Sequence, residues 1–279
     1  MSRENLQTIG DMLVPWVRQA GDMLRRGIGR TRRIRHKSRI DLVTDMDHAV
    51  ERRLVRNIRR RFPGHAILSE ELEEGSRRNP WRAPPPCRTH RLIIDPVDGT
   101  TNYAHGFPHF SVSVGIEREG DVVLGAVYNP MLDECFFARR GHGAFRNGRR
   151  IRVSRVGTLE RALLATGVPY DVRTSRKNNF GFFQAMARRC QAVRRAGSAS
   201  LDLCDLACGR FDGFWELKLK PWDVAAGALM IREAEGRLTD FSGRTCDIFA
   251  GDFIGSNGRL HGAMVRTLAA ARRRARPAA

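Results

Sequence analysis

Lysine is scarce in this chain. Only Lys37, Lys177, Lys218 and Lys220 stand among 49 basic residues, and the remainder are arginines. Acidic residues are fewer than basic ones, 30 against 49, which leaves a formal charge of +19. Such a surface invites polyanions, but a basic excess written almost wholly in arginine also looks like GC-rich coding, so charge alone does not establish nucleic-acid binding. Long apolar runs are missing too. No window reaches the roughly 18 uninterrupted apolar residues of a spanning helix, and the start MSRENLQTIGDML lacks the basic and apolar regions of a secretory signal. The expected setting is therefore the cytoplasm, with no membrane contact. The six cysteines (Cys87, Cys135, Cys190, Cys204, Cys208 and Cys246) form no C-x-x-C pair, which argues against a zinc site or a disulfide framework. No Walker A loop and no G-x-S-x-G elbow occurs.

What is present reads as a mixed α/β protein. Leu6, Ile9, Leu13, Trp16, Val17, Ala20 and Leu24 recur at helical spacing, and Pro15 within them predicts a kink or break. From Arg25 to Arg39 eight of fifteen residues are basic, a polar loop or hairpin. Thr44 with Asp47 resembles a helix cap, followed by a face of Val50, Leu54, Ile58 and Phe62 that ends at Pro63-Gly64. Ala66–Leu68 is a short strand, and the stretch from Glu73 to Thr89, with Pro80, Pro84, Pro85 and Pro86, is a surface loop. Strands follow at Arg91–Asp95, Phe110–Ile116, Asp121–Tyr128 and Glu134–Ala138. Beyond Asn179 helices and strands alternate: helices to about Cys190, at Ser198–Cys208, Trp222–Glu235 and after Asn257, with strands at Asp212–Leu217 and Gly236–Asp240. The expected organisation is one domain over residues 1–270, with an antiparallel half to about 178 and an alternating half from about 179, then a basic, disordered tail over 271–279.

The most informative stretch is Asp95-Pro96-Val97-Asp98-Gly99-Thr100-Thr101-Asn102. Two carboxylates on a tight turn, with a backbone carbonyl between them, suit Mg²⁺. The same residues also read as an Asp-Pro turn followed by an Asp-Gly turn. Glu70 and Glu71 follow a strand, Asp41, Asp45 and Asp47 surround a helix start, and Asp223 opens a helix where it also suits capping. Glu70, Asp95, Asp98 and Asp223 gathered by the fold would hold two or three Mg²⁺ ions. Gly99-Thr100-Thr101 and Gly197-Ser198-Ala199 place small residues where backbone amides can face an anion. Two metals bracketing an attacking water and a leaving oxygen would perform phosphoryl transfer to water.

Five blocks carry a resemblance. They are DLVTDMD from Asp41, ILSEE from Ile67, DPVDGTTNYAHGFPHFSVSVGI from Asp95, GSASLDLCDLACGRFDGFWE from Gly197 and PWDVAAGALMIREAEG from Pro221. In order and over nearly the whole chain, the sequence resembles the inositol monophosphatase family. The resemblance implies a layered αβαβα sandwich, Mg²⁺ dependence, lithium inhibition and a homodimer. By position it implies metal ligands at Glu70, Asp95, the Val97 carbonyl, Asp98 and Asp223. It implies catalysis by Thr100 and Asp47, which orient the attacking water, together with Glu70. It also implies a phosphate cradle of Gly99, Thr100 and Thr101, and substrate contacts from Asp98, Gly197, Ser198, Ala199, Glu216 and Asp223. Ser69 stands where many members have glycine, and Lys37 lies near the family's site lysine. Lys218 and Lys220 add positive charge on the substrate side, favouring a more anionic substrate. Trp16, Trp81 and Phe180, Phe182 and Phe183 read as core or interface, and His105 and His109 as supporting residues, since Mg²⁺ prefers oxygen. The expected reaction is hydrolysis of a small polyol phosphate, inositol 1-phosphate first. A nucleotide 3′-phosphate, a sugar bisphosphate or histidinol phosphate is the alternative substrate, and an RNA- or transcription-complex-binding protein on the same fold is the alternative role.

Overall fold

The computed structural model describes residues 6–29, 34–36, 42–73, 90–245 and 247–274. Lys37, Asp41, Trp81, Cys87, Cys246, the proline-rich stretch and residues 275–279 lie outside the described residues.

Helix α1 (Leu6–Gly27) buries Ile9, Leu13, Val17, Ala20 and Leu24 along one face. It runs on through Pro15, where a break is expected. Pro15 falls on the exposed side, so the missing amide costs one hydrogen bond at the surface while the apolar face stays packed. Strands β1 (Ile34–His36) and β2 (Leu42–Thr44) pair antiparallel, which makes a hairpin of part of the basic stretch. Helix α2 (Asp45–Arg61) starts on a complete capping box: Thr44 accepts from the Met46 amide and Asp47 accepts from the Thr44 amide. Its buried Val50, Leu54 and Ile58 continue into buried Phe62.

Next come β3 (Ala66–Ser69), α3 (Glu70–Glu73), β4 (His90–Asp98), α4 (Thr100–Ala104), β5 (Ser111–Arg118), β6 (Asp121–Asn129), β7 (Glu134–Arg139), β8 (Gly143–Arg146) and β9 (Arg149–Arg150). Strands β3 to β9 form one sheet in chain order, with β3 and β4 parallel and the remaining neighbours antiparallel. The alternating half contributes β10 (Leu163–Thr166), α5 (Phe180–Ala187), β11 (Ala192–Arg194), α6 (Ala199–Ala207), β12 (Gly213–Glu216), α7 (Pro221–Glu233), β13 (Arg237–Thr239), β14 (Phe253–Ser256) and α8 (His261–Arg274). The second sheet has the order β11-β10-β12-β14-β13. Strands β8, β9, β10, β11 and β14 and the short helices α3 and α4 are additions to the sequence reading. Helix α8 includes residues 271–274, which places Arg272 and Arg273 on a helical turn rather than in a tail.

Three apolar clusters define the layers. Helices α1 and α2 pack on the outer face of the first sheet, α6 and α7 fill the space between the sheets, and α5 and α8 cover the far face of the second. This is an αβαβα sandwich. Helix α7 is buried on nearly every side, as a helix apolar all round must be. It lies close because Gly115 of β5 and Gly125 of β6 face Ala225 and Ala226, where an added Cβ would come within 2.7 Å and 3.0 Å of helix atoms.

One local feature of β4 sets up the site. The strand does not turn at Asp95 but continues to Asp98, pairing Asp95 with Ser113 and Asp98 with Ser111. One extra residue on β4 therefore makes a bulge, where proline is tolerated. Residues three apart on a regular strand face opposite sides, and the bulge returns Asp98 to the side of Asp95.

Candidate active site

The bulge opens onto a cleft of about 490 Å³ between the two halves of the chain. Asp95, Val97, Asp98, Gly99 and Thr100 line one wall, Glu70 another, Asp223 and Trp222 a third, and Glu216 with Gly197, Ser198 and Ala199 the far side. The parallel register of β3 and β4 sets Ser69 opposite Ile94, so Glu70 and Asp95 follow side by side. Asp223 sits in the first turn of α7, its Oδ2 accepting the Lys220 amide at 2.7 Å. Asp95 Oδ1 accepts the Val97 amide at 3.0 Å.

Asp98 ties the halves together. Its Oδ2 accepts the Ser198 hydroxyl at 2.7 Å and the Ser200 amide and hydroxyl at 2.7 and 2.6 Å, and its Oδ1 accepts the Ala199 amide at 3.3 Å. The start of α6 thus faces an anion as its sequence suggests, but that anion is Asp98 of the chain itself. Gly99 has φ of +96°, and a Cβ there would lie 3.1 Å from the carbonyls of Gly197 and His109, so the turn into α4 needs glycine. Thr100 Oγ1 is 3.0 Å from Asp47 Oδ1 and 2.8 Å from the Val97 carbonyl. Asp47 lies fully buried behind the cleft, its Oδ2 also accepting the Thr44 amide and hydroxyl. Thr101 stands on α4 away from the cleft lining, His105 and His109 follow that helix and also lie off the lining, and Asp45 is exposed.

The electrostatics are those of crowded anions. Burial, then the charges of Glu70, Asp98, Asp223 and Asp47, hold the Asp95 carboxyl well above the usual range. Burial and the charges of Asp98 and Glu70 do the same to Asp223. Burial first, with the Glu70 charge adding, pushes Asp47 up to about 6. Asp98 is raised by burial and partly relieved by its bonds from Ser200 and Ser198. Such a group of carboxylates, with a carbonyl oxygen among them and no imidazole or thiol lining the cleft among the described residues, is a hard-oxygen set that fits Mg²⁺ or Ca²⁺. Among the described residues no three His, Cys, Asp or Glu side chains are already closed into a metal-holding group; these carboxylates stand around the cleft instead.

The placement of one cation corrects the sequence reading, and a cysteine–arginine spacing that the reading did not include is also present. Lys218 and Lys220 line the cleft, but the Lys218 ammonium donates to Asp171 Oδ2 at 2.5 Å and Ser175 Oγ at 2.8 Å, so its charge is compensated within the chain. Cys204 and Arg210 have the spacing of a cysteine-phosphatase loop, yet Cys204 is buried in α6 with its thiol pushed well up by burial, and Arg210 is bound to Glu134 and Asp205. Neither thiol attack nor a free anion hook is available there. Trp16 packs edge-on against Phe62 and Phe182 against Phe241, while Phe180 and Phe183 are exposed. The sequence reading passed over Gly167, Asp171, Arg195 and Asp202, all of which line the cleft.

The chain matches the model of the inositol monophosphatase family over residues 5–274. It is 39% identical over 271 residues to the inositol-1-monophosphatase of Synechocystis, covering 96% of this chain and 91% of that protein. It is also 39% identical over 257 residues to the Nus factor SuhB of Pseudomonas aeruginosa, covering 90% and 92%. Among solved structures it resembles the IMPase of Thermotoga maritima at a TM-score of 0.83 and 35% identity, covering 95% of this chain and 98% of that one. With the layered fold, the bulged carboxylate pair and a match spanning almost every described residue, the chain belongs to the inositol monophosphatase family.

Proposed function

We propose that this phosphatase-family protein hydrolyses a phosphate monoester of a small polyol, inositol 1-phosphate first, in a Mg²⁺-dependent reaction. The observation that carries the reading is the convergence of Glu70, Asp95, Asp98 and Asp223 on one cleft, where the charges of Glu70 and Asp98 raise the proton affinity of Asp95 and Asp223. These four carboxylates and the Val97 carbonyl would hold two or three Mg²⁺. Bound there, Mg²⁺ would offset the crowded charge, polarise the phosphoryl oxygens and lower the pKa of water.

The protein's own groups then have distinct tasks. The single Thr100 hydroxyl proton goes to Asp47 Oδ1 or the Val97 carbonyl. Its lone pairs are left to accept a proton from a water in the cleft and so aim that water's oxygen at phosphorus. Asp47 is held by the Thr44 cap and cannot turn away. Glu70 works beside Thr100 at the same water. Gly99 and Thr100, which line the cleft, would bring their backbone close to the phosphate. Glu216, with the Gly197–Ala199 backbone, faces the alcohol part of the substrate, and it is pushed up to about 8, chiefly by burial.

Phosphate release from inositol 1-phosphate with Mg²⁺, with a chelator, and with lithium added is the test. Chelator-silenced, lithium-sensitive release is expected; no release from folded, Mg²⁺-loaded protein on this ester, a nucleotide 3′-phosphate, a sugar bisphosphate or histidinol phosphate would overturn the reading.

A second reading, RNA or transcription-complex binding on the same fold, is favoured by the +19 charge and by the similarity to a protein named as a Nus factor. RNA affinity that falls steeply with log salt, and is unchanged in Asp95→Asn, would support it. No binding at low salt would remove it.

A further inference from the structure

A fully buried acid in the cleft has no task in the reaction just described. Asp202 lies in the middle of α6 and lines the cleft, and its side chain is only 1% exposed. Its Oδ1 has no hydrogen-bond partner among the described residues. The neighbouring buried acids are differently placed. Asp98 takes bonds from Ser198 and Ser200, Asp205 is paired with Arg210 at 2.8 Å, and Asp212 accepts the Ser154 hydroxyl and the Leu163 amide. Buried polar atoms are nearly always paired, and an orphan next to a cleft points to something that binds there.

The helix cannot move to relieve it. Leu203 packs onto Gly227 of α7 so closely that a Cβ on Gly227 would come within 2.5 Å of it, and Leu201, Leu203 and Cys204 are all buried. The charge acting most on Asp202 is that of Glu216, with Arg195 on the opposite side of the balance. Both line the same cleft as Asp202. This group is distinct from the crowded carboxylates of the bulge, and it lies on the side reserved for the alcohol.

Resting on the phosphatase reading above, we propose that Asp202 is a specificity-determining residue, whose Oδ1 makes a hydrogen bond to a substrate hydroxyl beside the one that Glu216 reads. The ligand class is a phosphate monoester of a polyol with neighbouring hydroxyls, as opposed to an ester whose alcohol has none. Burial pushes the Asp202 carboxyl well above the usual range. As a carboxylate Oδ1 accepts from a substrate hydroxyl, and as the protonated acid the group also donates to one.

The test compares Asp202→Ala and Asp202→Asn with the wild type, each with Mg²⁺, on inositol 1-phosphate and on p-nitrophenyl phosphate, which has no hydroxyl to read. For Ala, loss of one hydrogen bond should raise KM for inositol 1-phosphate about tenfold, with kcat within about twofold and kcat/KM on p-nitrophenyl phosphate unchanged. Asn, which keeps a donor and an acceptor in the same shape, should restore most of the affinity. Should Ala not fold, Asn alone decides: near-wild-type KM on inositol 1-phosphate is expected, and an equal loss on both esters would overturn the proposal. An unchanged KM in Ala, or equal losses on both esters, would show a merely structural acid or one satisfied by water, and would overturn it as well. Wild-type turnover of p-nitrophenyl phosphate without inositol 1-phosphate would remove this inference and leave the phosphatase reading standing. Silence on both would remove the two together.

Discussion

Gly167 and Glu216 approach so closely that a Cβ on residue 167 would lie 1.8 Å from Glu216 Oε1. Backbone of the segment after β10 therefore forms the surface against which the Glu216 carboxylate rests. The group that would yield is the far end of a side chain, so the fold survives a methyl here while the carboxylate is displaced. Gly167→Ala is expected to raise KM for inositol 1-phosphate by about tenfold or more, with loss of the Glu216 contact, and to change the melting temperature by no more than a few degrees. Steady-state kinetics beside a thermal melt check both halves. A large stability loss with unchanged KM would contradict the placement.

That contact was not legible in the sequence, and the reason is physical. Gly167 follows a strand of four residues, too short to show a period, and its partner is 49 positions away on β12. The Thr44–Asp47 cap and the Val50, Leu54, Ile58 and Phe62 face were legible because they are local and repeat at the helical period. The carboxylate pair was legible as a pair, but its geometry was not. A spacing of three suggests a turn, whereas the bulge between Asp95 and Asp98 depends on pairing with Ser113 and Ser111 of the neighbouring strand. Asp202 was hidden for another reason: in the helix ASLDLCDLA an acid reads as a surface residue, and only the packing of α6 between two sheets buries it. Lys218 looked like a free cation because Asp171 and Ser175 lie on a distant loop.

Thr100 touches Asp47 and the Val97 carbonyl through a single hydroxyl, so its replacement separates positioning from metal binding. Thr100→Val should lower kcat roughly 10²-fold or more, in the range seen when a positioned proton-transfer group is lost. Thr100→Ser should retain most of the activity. Asp47→Asn should also lower kcat, because its amide cannot accept from both Thr44 donors and Thr100 as the carboxylate does. Mg²⁺ dependence of the melting temperature, measured on the same variants, should stay near wild type in Thr100→Val. A matching loss of the Mg²⁺ effect would assign Thr100 to metal binding instead.

Crowded carboxylates also predict how the metal-free protein behaves. The charges of Glu70, Asp98, Asp223 and Asp47 all act against ionised Asp95. Asp95→Asn should abolish turnover and, in chelator, raise the melting temperature by about 2–6 °C, since one repelling charge is gone. For the wild type, free Mg²⁺ at about 100 times its Kd should stabilise by about 2.7 kcal/mol. This gain should largely vanish in Asp95→Asn. Melts with and without Mg²⁺ would show it, and an equal Mg²⁺ response in both proteins would place the ions elsewhere.

The last expectation lies far from the cleft, where β13, β14 and α8 meet. His261 is buried between two hydroxyls, with Nε2 2.8 Å from Thr239 Oγ1 and Nδ1 2.9 Å from Ser256 Oγ. Thr239 gives its proton to the Asp240 carbonyl at 2.8 Å, so it must accept from Nε2, and Ser256, accepting the Gly258 amide, gives its own proton to Nδ1. The chain of bonds is complete only for neutral imidazole. Burial, with Arg237 adding, lowers His261 from 6.5 to about 4. The unfolded chain therefore binds a proton on this residue at a higher pH than the native protein does. Its contribution to stability is full above pH 6.5 and is lost as pH falls toward about 4. Carboxylates titrate in the same range, so the readout is a difference: His261→Asn should cost stability at pH 7.5, and the gap between the two melting temperatures should narrow steadily down to pH 4.5. A gap that stays constant with pH would mean that folding leaves the His261 pKa unshifted, and a gap that widens as pH falls would mean that the native imidazole is protonated more readily than the unfolded one; either would contradict the hydroxyl pairing.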